Sequence, residues 1–106
     1  MNLRVMRVIV FFDLPITTIQ GIRAYTKFRR FLLKDGFIMM QESVYSKLAQ
    51  NQLAANALIS HIRKNSPDEG LIQILTVTEK QYSKLYMLLG ENRNEVLDTT
   101  ERLVFL

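Results

Sequence analysis

Apolar positions fall in short, well-punctuated groups along the chain, and their spacing predicts alternating strands and helices. The first group is a run of five, Val8-Ile9-Val10-Phe11-Phe12, inside a strand predicted over 4–12. A continuous β-branched and aromatic run of this length suits a central strand buried on both faces. Asp13 closes it, and Leu14-Pro15 ends it, because proline lacks an amide donor and disfavours helix at the residue before it. Thr17 or Thr18 can cap a helix that runs to Asp35, with Gly36 as its left-handed C-terminal residue. Its apolar residues Ala24, Tyr25, Phe28, Phe31 and Leu32 share one arc at 100° per residue.

Strand-like segments follow at Phe37–Met40 and Ser43–Leu48, with Gln41-Glu42 as either a tight turn or a bend in one long strand. Asn51 or Asn56 can start a second helix ending near Lys64, before the Asn65-Ser66-Pro67-Asp68 turn and Gly70. Leu71–Thr78 alternates as a strand, Glu79–Ser83 reads as one helical turn, and an apolar stretch covers Leu85–Leu89. A β-prone tail, Arg102-Leu103-Val104-Phe105-Leu106, closes the chain. The order β-α-β-β-α-β predicts an α+β, ferredoxin-like sandwich: two helices over one face of an antiparallel sheet, with an extra C-terminal strand. That arrangement leaves one sheet face uncovered. Met39, Tyr45, Leu75 and Val77 are expected to be partly bare on it, and homodimerisation is the expected remedy. The tail is too short to stand alone and is expected to pair with an edge of a second subunit or partner.

Length makes this one domain, 1–106, and 48% hydrophobic residues with mixed charge make it globular. The chain has no cysteine, which excludes disulfide and thiolate chemistry and fits a cytoplasmic protein. No run is long and apolar enough for a signal peptide or membrane span. Charge changes the picture when divided by position. Residues 1–50 carry eight Lys/Arg against three acids, whereas 51–106 carry six against seven. In the first helix Arg23, Lys27, Arg30 and Lys34 lie at i, i+4, i+7 and i+11, one stripe without an acid to relieve it. The stripe spans about 16 Å. Phosphates repeat about every 3.4 Å along one strand of a duplex, so it could track four or five of them. An ordinary solvated helix face is the competing reading.

Candidate chemistry rests on Asp13. Mg²⁺ commonly takes one or two carboxylates with water and substrate phosphate. Asp13 is the only acid in the first 34 residues, so a single chain offers a poor site. A two-fold dimer bringing two copies of Asp13 together would offer a better one, while a turn aspartate before Leu14-Pro15 is the structural alternative. His61 has no patterned co-ligand and reads as a packed helix residue, and Ser43 has no base in sequence reach.

Phe12-Asp13, the basic helix closing on Asp35-Gly36-Phe37, and Gln41-Glu42-Ser43-Val44-Tyr45-Ser46-Lys47-Leu48 together resemble the Cas-two family of CRISPR-associated proteins. Leu75-Thr76-Val77-Thr78-Glu79-Lys80-Gln81 and Glu101-Arg102-Leu103-Val104-Phe105-Leu106 are similar to the branch found beside type II-A systems. The resemblance covers nearly the whole chain. It implies a ferredoxin-like homodimer acting in spacer acquisition, a bridge lying along double-stranded DNA between two dimers of the CRISPR integrase (Cas-one family). It also implies a Mg²⁺-dependent endonuclease on RNA or double-stranded DNA, with Asp13 as metal ligand and catalytic residue. Phe12, Ser43 and Tyr45 would be its active-site neighbours, and residues 102–106 a partner-binding strand. Two departures, Phe12 where the family often has Tyr and Glu42 where an aromatic often stands, weigh against hydrolysis more than against bridging. A toxin-type ribonuclease of the same fold is the alternative.

Overall fold

The computed structural model describes residues 4–90. Seven elements follow one another: β1 (Met6–Asp13), α1 (Ile19–Lys34), β2 (Ile38–Gln41), β3 (Val44–Ala49), α2 (Gln52–Lys64), β4 (Leu71–Thr78) and α3 (Glu79–Tyr82). The four strands form one sheet in the order β2-β3-β1-β4, with every neighbouring pair antiparallel. This is the predicted ferredoxin-like α+β arrangement. The strand expected at 102–106, with its partner-binding role, lies outside the described residues.

Local chemistry sets the element ends. Thr18 caps α1 by accepting from the Gly21 amide at 3.0 Å, and Asn51 caps α2 by accepting from the Ala54 amide at 2.8 Å. α1 ends in a Schellman motif: the Phe37 amide donates to the Leu32 carbonyl and the Gly36 amide to the Leu33 carbonyl. Gly36 has φ +96, the left-handed geometry this ending requires, and Phe37 drops into the core behind it. α3 carries a reciprocal cap between Thr78 and Gln81.

The chain's ambiguous segment is a tight turn. Gln41 pairs with Val44, leaving Glu42 and Ser43 as the connection, and Ser43 adopts φ +64. Ile38 pairs with Ser46 and Met39 with Tyr45, so one extra residue, Met40, bulges from β2.

Val8, Val10 and Phe12 on β1 pack with Phe28 and Leu32 of α1, Ala55 and Ile62 of α2, and Tyr45 of β3. Phe12 sits among aromatic rings, 5.2 Å from Phe28 edge-on, 5.6 Å from Tyr45 and 5.7 Å from Tyr25. Strand alternation sends Arg7, Ile9, Phe11 and Asp13 to the opposite face. The registers add Ile38, Val44, Ser46, Leu71, Leu75 and Val77 to that face. The expectation of a bare face holding Met39, Tyr45, Leu75 and Val77 is therefore corrected. Tyr45 pairs with Val10 and points under the helices, 1% exposed, and Met39 shares its side at the sheet rim. Leu75 and Val77 do lie on the open face.

α3 covers part of that face. The Glu79 amide donates to the Val5 carbonyl at 2.8 Å, and Arg7 grips the Glu79 carboxylate with two donors, Nε at 2.9 Å from Oε1. The Arg7 guanidinium lies 4.2 Å from the centre of the Tyr82 ring, whose hydroxyl accepts from Ser46 at 3.4 Å. Ile9, flanked by Ser46 and Leu75, is buried on this side although it belongs to no part of the helix-side core.

Candidate nucleic-acid interface and carboxylate site

Asp13 stands at the last position of β1, opposite Leu71 of β4, on the open face. The strand must stop there because Pro15 follows, and the loop returning to β4 is pressed against it. Gly70 has φ +103, and a Cβ at that position would lie 2.8 Å from the Asp13 carbonyl oxygen and 2.6 Å from Leu14 Cδ2. Glycine lets β4 begin directly beside Asp13. The carboxylate is exposed and, among the described residues, accepts no hydrogen bond and joins no ion pair. A turn aspartate would bond its own backbone a residue or two onward, so the structural alternative for Asp13 has no support.

A shallow depression of 160 Å³ adjoins it, lined by Phe11, Phe12, Asp13, Ser43, Val44, Leu71 and Gln73. Ser43 is brought to Asp13 because the Phe12 amide donates to the Ser43 carbonyl at 3.0 Å, tying the β2–β3 turn to the end of β1. The Ser43 hydroxyl lies 3.4 Å from the Tyr25 hydroxyl. Of the expected neighbours, Ser43 and Phe12 line the depression and Tyr45 does not. The Phe12 ring and Tyr45 belong to the core on the other side of the sheet, 5% and 1% exposed.

Asp13 is the only acid lining the depression, and among the described residues no group of three or more His, Asp or Glu could hold a metal ion. A lone carboxylate with no second acid in the lining is a poor magnesium site by itself. His61 is no ligand either: it packs edge-on against Phe31 at 5.0 Å and places Nδ1 3.3 Å from Asp35 Oδ1, tying α2 to the end of α1.

The basic stripe is present as spaced. Arg23, Lys27, Arg30 and Lys34 are all exposed on α1, turned away from Phe28 and Leu32, and none has an ion-pair partner among the described residues. The stripe belongs to the helical layer and Asp13 to the opposite sheet face, so the two are not one site. The strongest electrostatic pairing lies elsewhere, at Arg7 and Glu79. The hydrogen bonds from Arg7 hold the Glu79 carboxyl below its ordinary range, and those to Glu79 raise Arg7. The two residues are 72 apart in sequence, and nothing in the spacing marks them as partners.

Among the described residues no helix is long and apolar enough to cross a membrane. Residues 6–85 match the family model described as CRISPR associated protein Cas2. A "CRISPR-associated endoribonuclease Cas2" from Treponema denticola is 54% identical over 101 residues, covering 95% of this chain and 100% of the relative. Proteins of the same name from Streptococcus mutans and Ligilactobacillus salivarius are 48% and 40% identical, each over 95% of this chain and over 93% and 100% of their own lengths. With β1 ending in an exposed aspartate, a basic α1 and a four-stranded antiparallel sheet, the chain belongs to the Cas2 family of CRISPR-associated proteins.

Proposed function

We propose that this protein works in CRISPR spacer acquisition as a homodimer that binds double-stranded DNA without regard to sequence and bridges integrase dimers in the cytoplasm. The observation that carries this reading is the α1 stripe: four exposed cations in line on the outer surface, unpaired among the described residues. Such a row suits phosphates at regular spacing, contacts that fix register and orientation but carry no sequence information. Dimerisation is supported by the open sheet face, where Phe11, Ile38, Leu71 and Leu75 are exposed large apolar residues. In reconstituted integration with purified integrase, donor duplex and a CRISPR array, Arg23→Ala with Lys27→Ala is expected to reduce product. It should also flatten the dependence of log affinity on log salt. An unchanged slope places the duplex on another surface.

The relatives' names favour a second reading, phosphodiester hydrolysis, and the exposed Asp13 beside Ser43 is the feature that supports it here. Since one carboxylate is a poor magnesium site, Mg²⁺ enters this reading as an ion shared by the Asp13 carboxylates of two subunits. Titration with Mn²⁺ is then expected to saturate at one ion per two chains and to fail in Asp13→Ala. One ion per chain, or binding that survives the substitution, rules out the shared site. Asp13→Ala is expected to leave duplex binding within a few-fold, because removing a carboxylate near phosphate relieves repulsion and leaves the stripe intact. Integration that survives Asp13→Ala separates bridging from hydrolysis. Its loss in a variant that folds, dimerises and binds DNA makes the carboxylate part of the adaptor.

A further inference from the structure

At the end of the sheet remote from Asp13, where Met6 of β1 pairs with Thr78 of β4, the surface is hollowed into a depression of 610 Å³. Its lining is Arg4, Val5, Thr78, Lys80, Gln81 and Lys84. A smaller hollow of 260 Å³ continues it past Arg4 and Thr78 to Met6 and Gln52. Three cations thus converge on one concavity with no acid in its lining among the described residues. The nearest acid in sequence is Glu79, and both its oxygens are already engaged by Arg7. Arg4, Lys80 and Lys84 are exposed and form no ion pair among the described residues. Concentrating like charge in one hollow is unfavourable unless an anion is present to relieve it. The polar groups of Thr78 and Gln81 in the same lining add hydrogen-bonding capacity suited to phosphate oxygens.

We infer that Arg4, Lys80 and Lys84 form a second phosphate-binding site, separate from α1, that takes the phosphodiester backbone of a nucleic acid. It is separate from Asp13 as well. Seven strand steps part Asp13 from Met6, about 23 Å, so one phosphate cannot be held at both ends. No residue of α1 lines the hollow. The site stands whether or not the stripe on α1 is the main duplex surface.

The test uses the full chain with two probes, a random-sequence DNA duplex and a random-sequence single-stranded RNA, titrated over a salt series. In Lys80→Ala with Lys84→Ala the affinity for at least one probe is expected to fall about tenfold at low salt. The log–log salt slope should flatten by about two for the duplex, near one for each phosphate that is no longer neutralised. Arg4→Ala should extend the loss, and Lys80→Arg with Lys84→Arg should retain the wild-type slope. Which probe responds tells whether the backbone held there is duplex DNA or single-stranded RNA. Unchanged affinity and slope for both probes overturn the inference. The companion variant Arg23→Ala with Lys27→Ala keeps the two readings apart: a flattened slope there, with none in the lysine pair, leaves α1 standing and removes this site. Loss of integrase binding by the lysine pair, with nucleic-acid binding intact, also overturns it and assigns the patch to an acidic protein surface.

Discussion

The two faces of β1 are built from neighbouring residues of one apolar run and meet opposite fates. Val8, Val10 and Phe12 enter a close-packed core under both helices. Arg7, Ile9, Phe11 and Asp13 face a side that, among the described residues, α3 alone partly covers. The helix side is held by buried apolar area. The open side is held at one end by a polar clasp, Arg7 with Glu79 and Tyr82, and at the other end bares Phe11 and Asp13. Stability is concentrated on one face, which leaves the other available for partners and chemistry.

The sharpest way to break this contrast is to truncate adjacent aromatics. Phe12→Ala is expected to cost about 3–5 kcal/mol in urea unfolding, the loss typical of a buried ring in a close-packed core. Phe11→Ala should cost about 1 kcal/mol or less in the isolated fold while weakening self-association by size-exclusion chromatography. Equal losses would mean that both faces are core.

Gly70→Ala comes next. A side chain there must adopt φ +103 and clear the Asp13 backbone, so about 1–3 kcal/mol is expected, with the Asp13 amide resonance displaced. An unmoved resonance would show that the loop yields instead of β1.

The smallest effect belongs to the clasp. Arg7 lowers the Glu79 carboxyl in the folded state, so its contribution is full above the ordinary glutamate range and is lost as pH falls through the lowered value. Because the pair is partly solvated, the melting-temperature gap between wild type and Glu79→Gln should be only a few degrees at neutral pH. It should close as pH falls through the lowered Glu79 value. A gap that persists in acid would assign the effect to packing against Tyr82.

Element order and the Gly36 ending were legible in the sequence, and each helix cap was narrowed to two candidates, because each depends on residues a few positions apart. The facing of strands was harder. Five consecutive apolar residues in β1 carry no alternation, so Tyr45 could be taken for bare surface until its pairing with Val10 fixed its side. Asp13, its neighbour Ser43 and the α1 stripe were visible as residue types, but their separation onto opposite layers was not. The clasp joins residues 72 apart, and the second basic hollow gathers Arg4 with Lys80 and Lys84. Charge totals by half could show neither, since the half supplying the two lysines is net acidic.

The sheet's outer strands differ in a way that governs growth of assemblies. β2 offers four residues interrupted by the Met40 bulge, a poor template for another strand. β4 offers eight residues in unbroken register with β1. Among the described residues, strand addition is therefore favoured at the β4 edge over the β2 edge. Extension at that one edge recruits a strand without propagating into a fibre, which keeps the assembly finite.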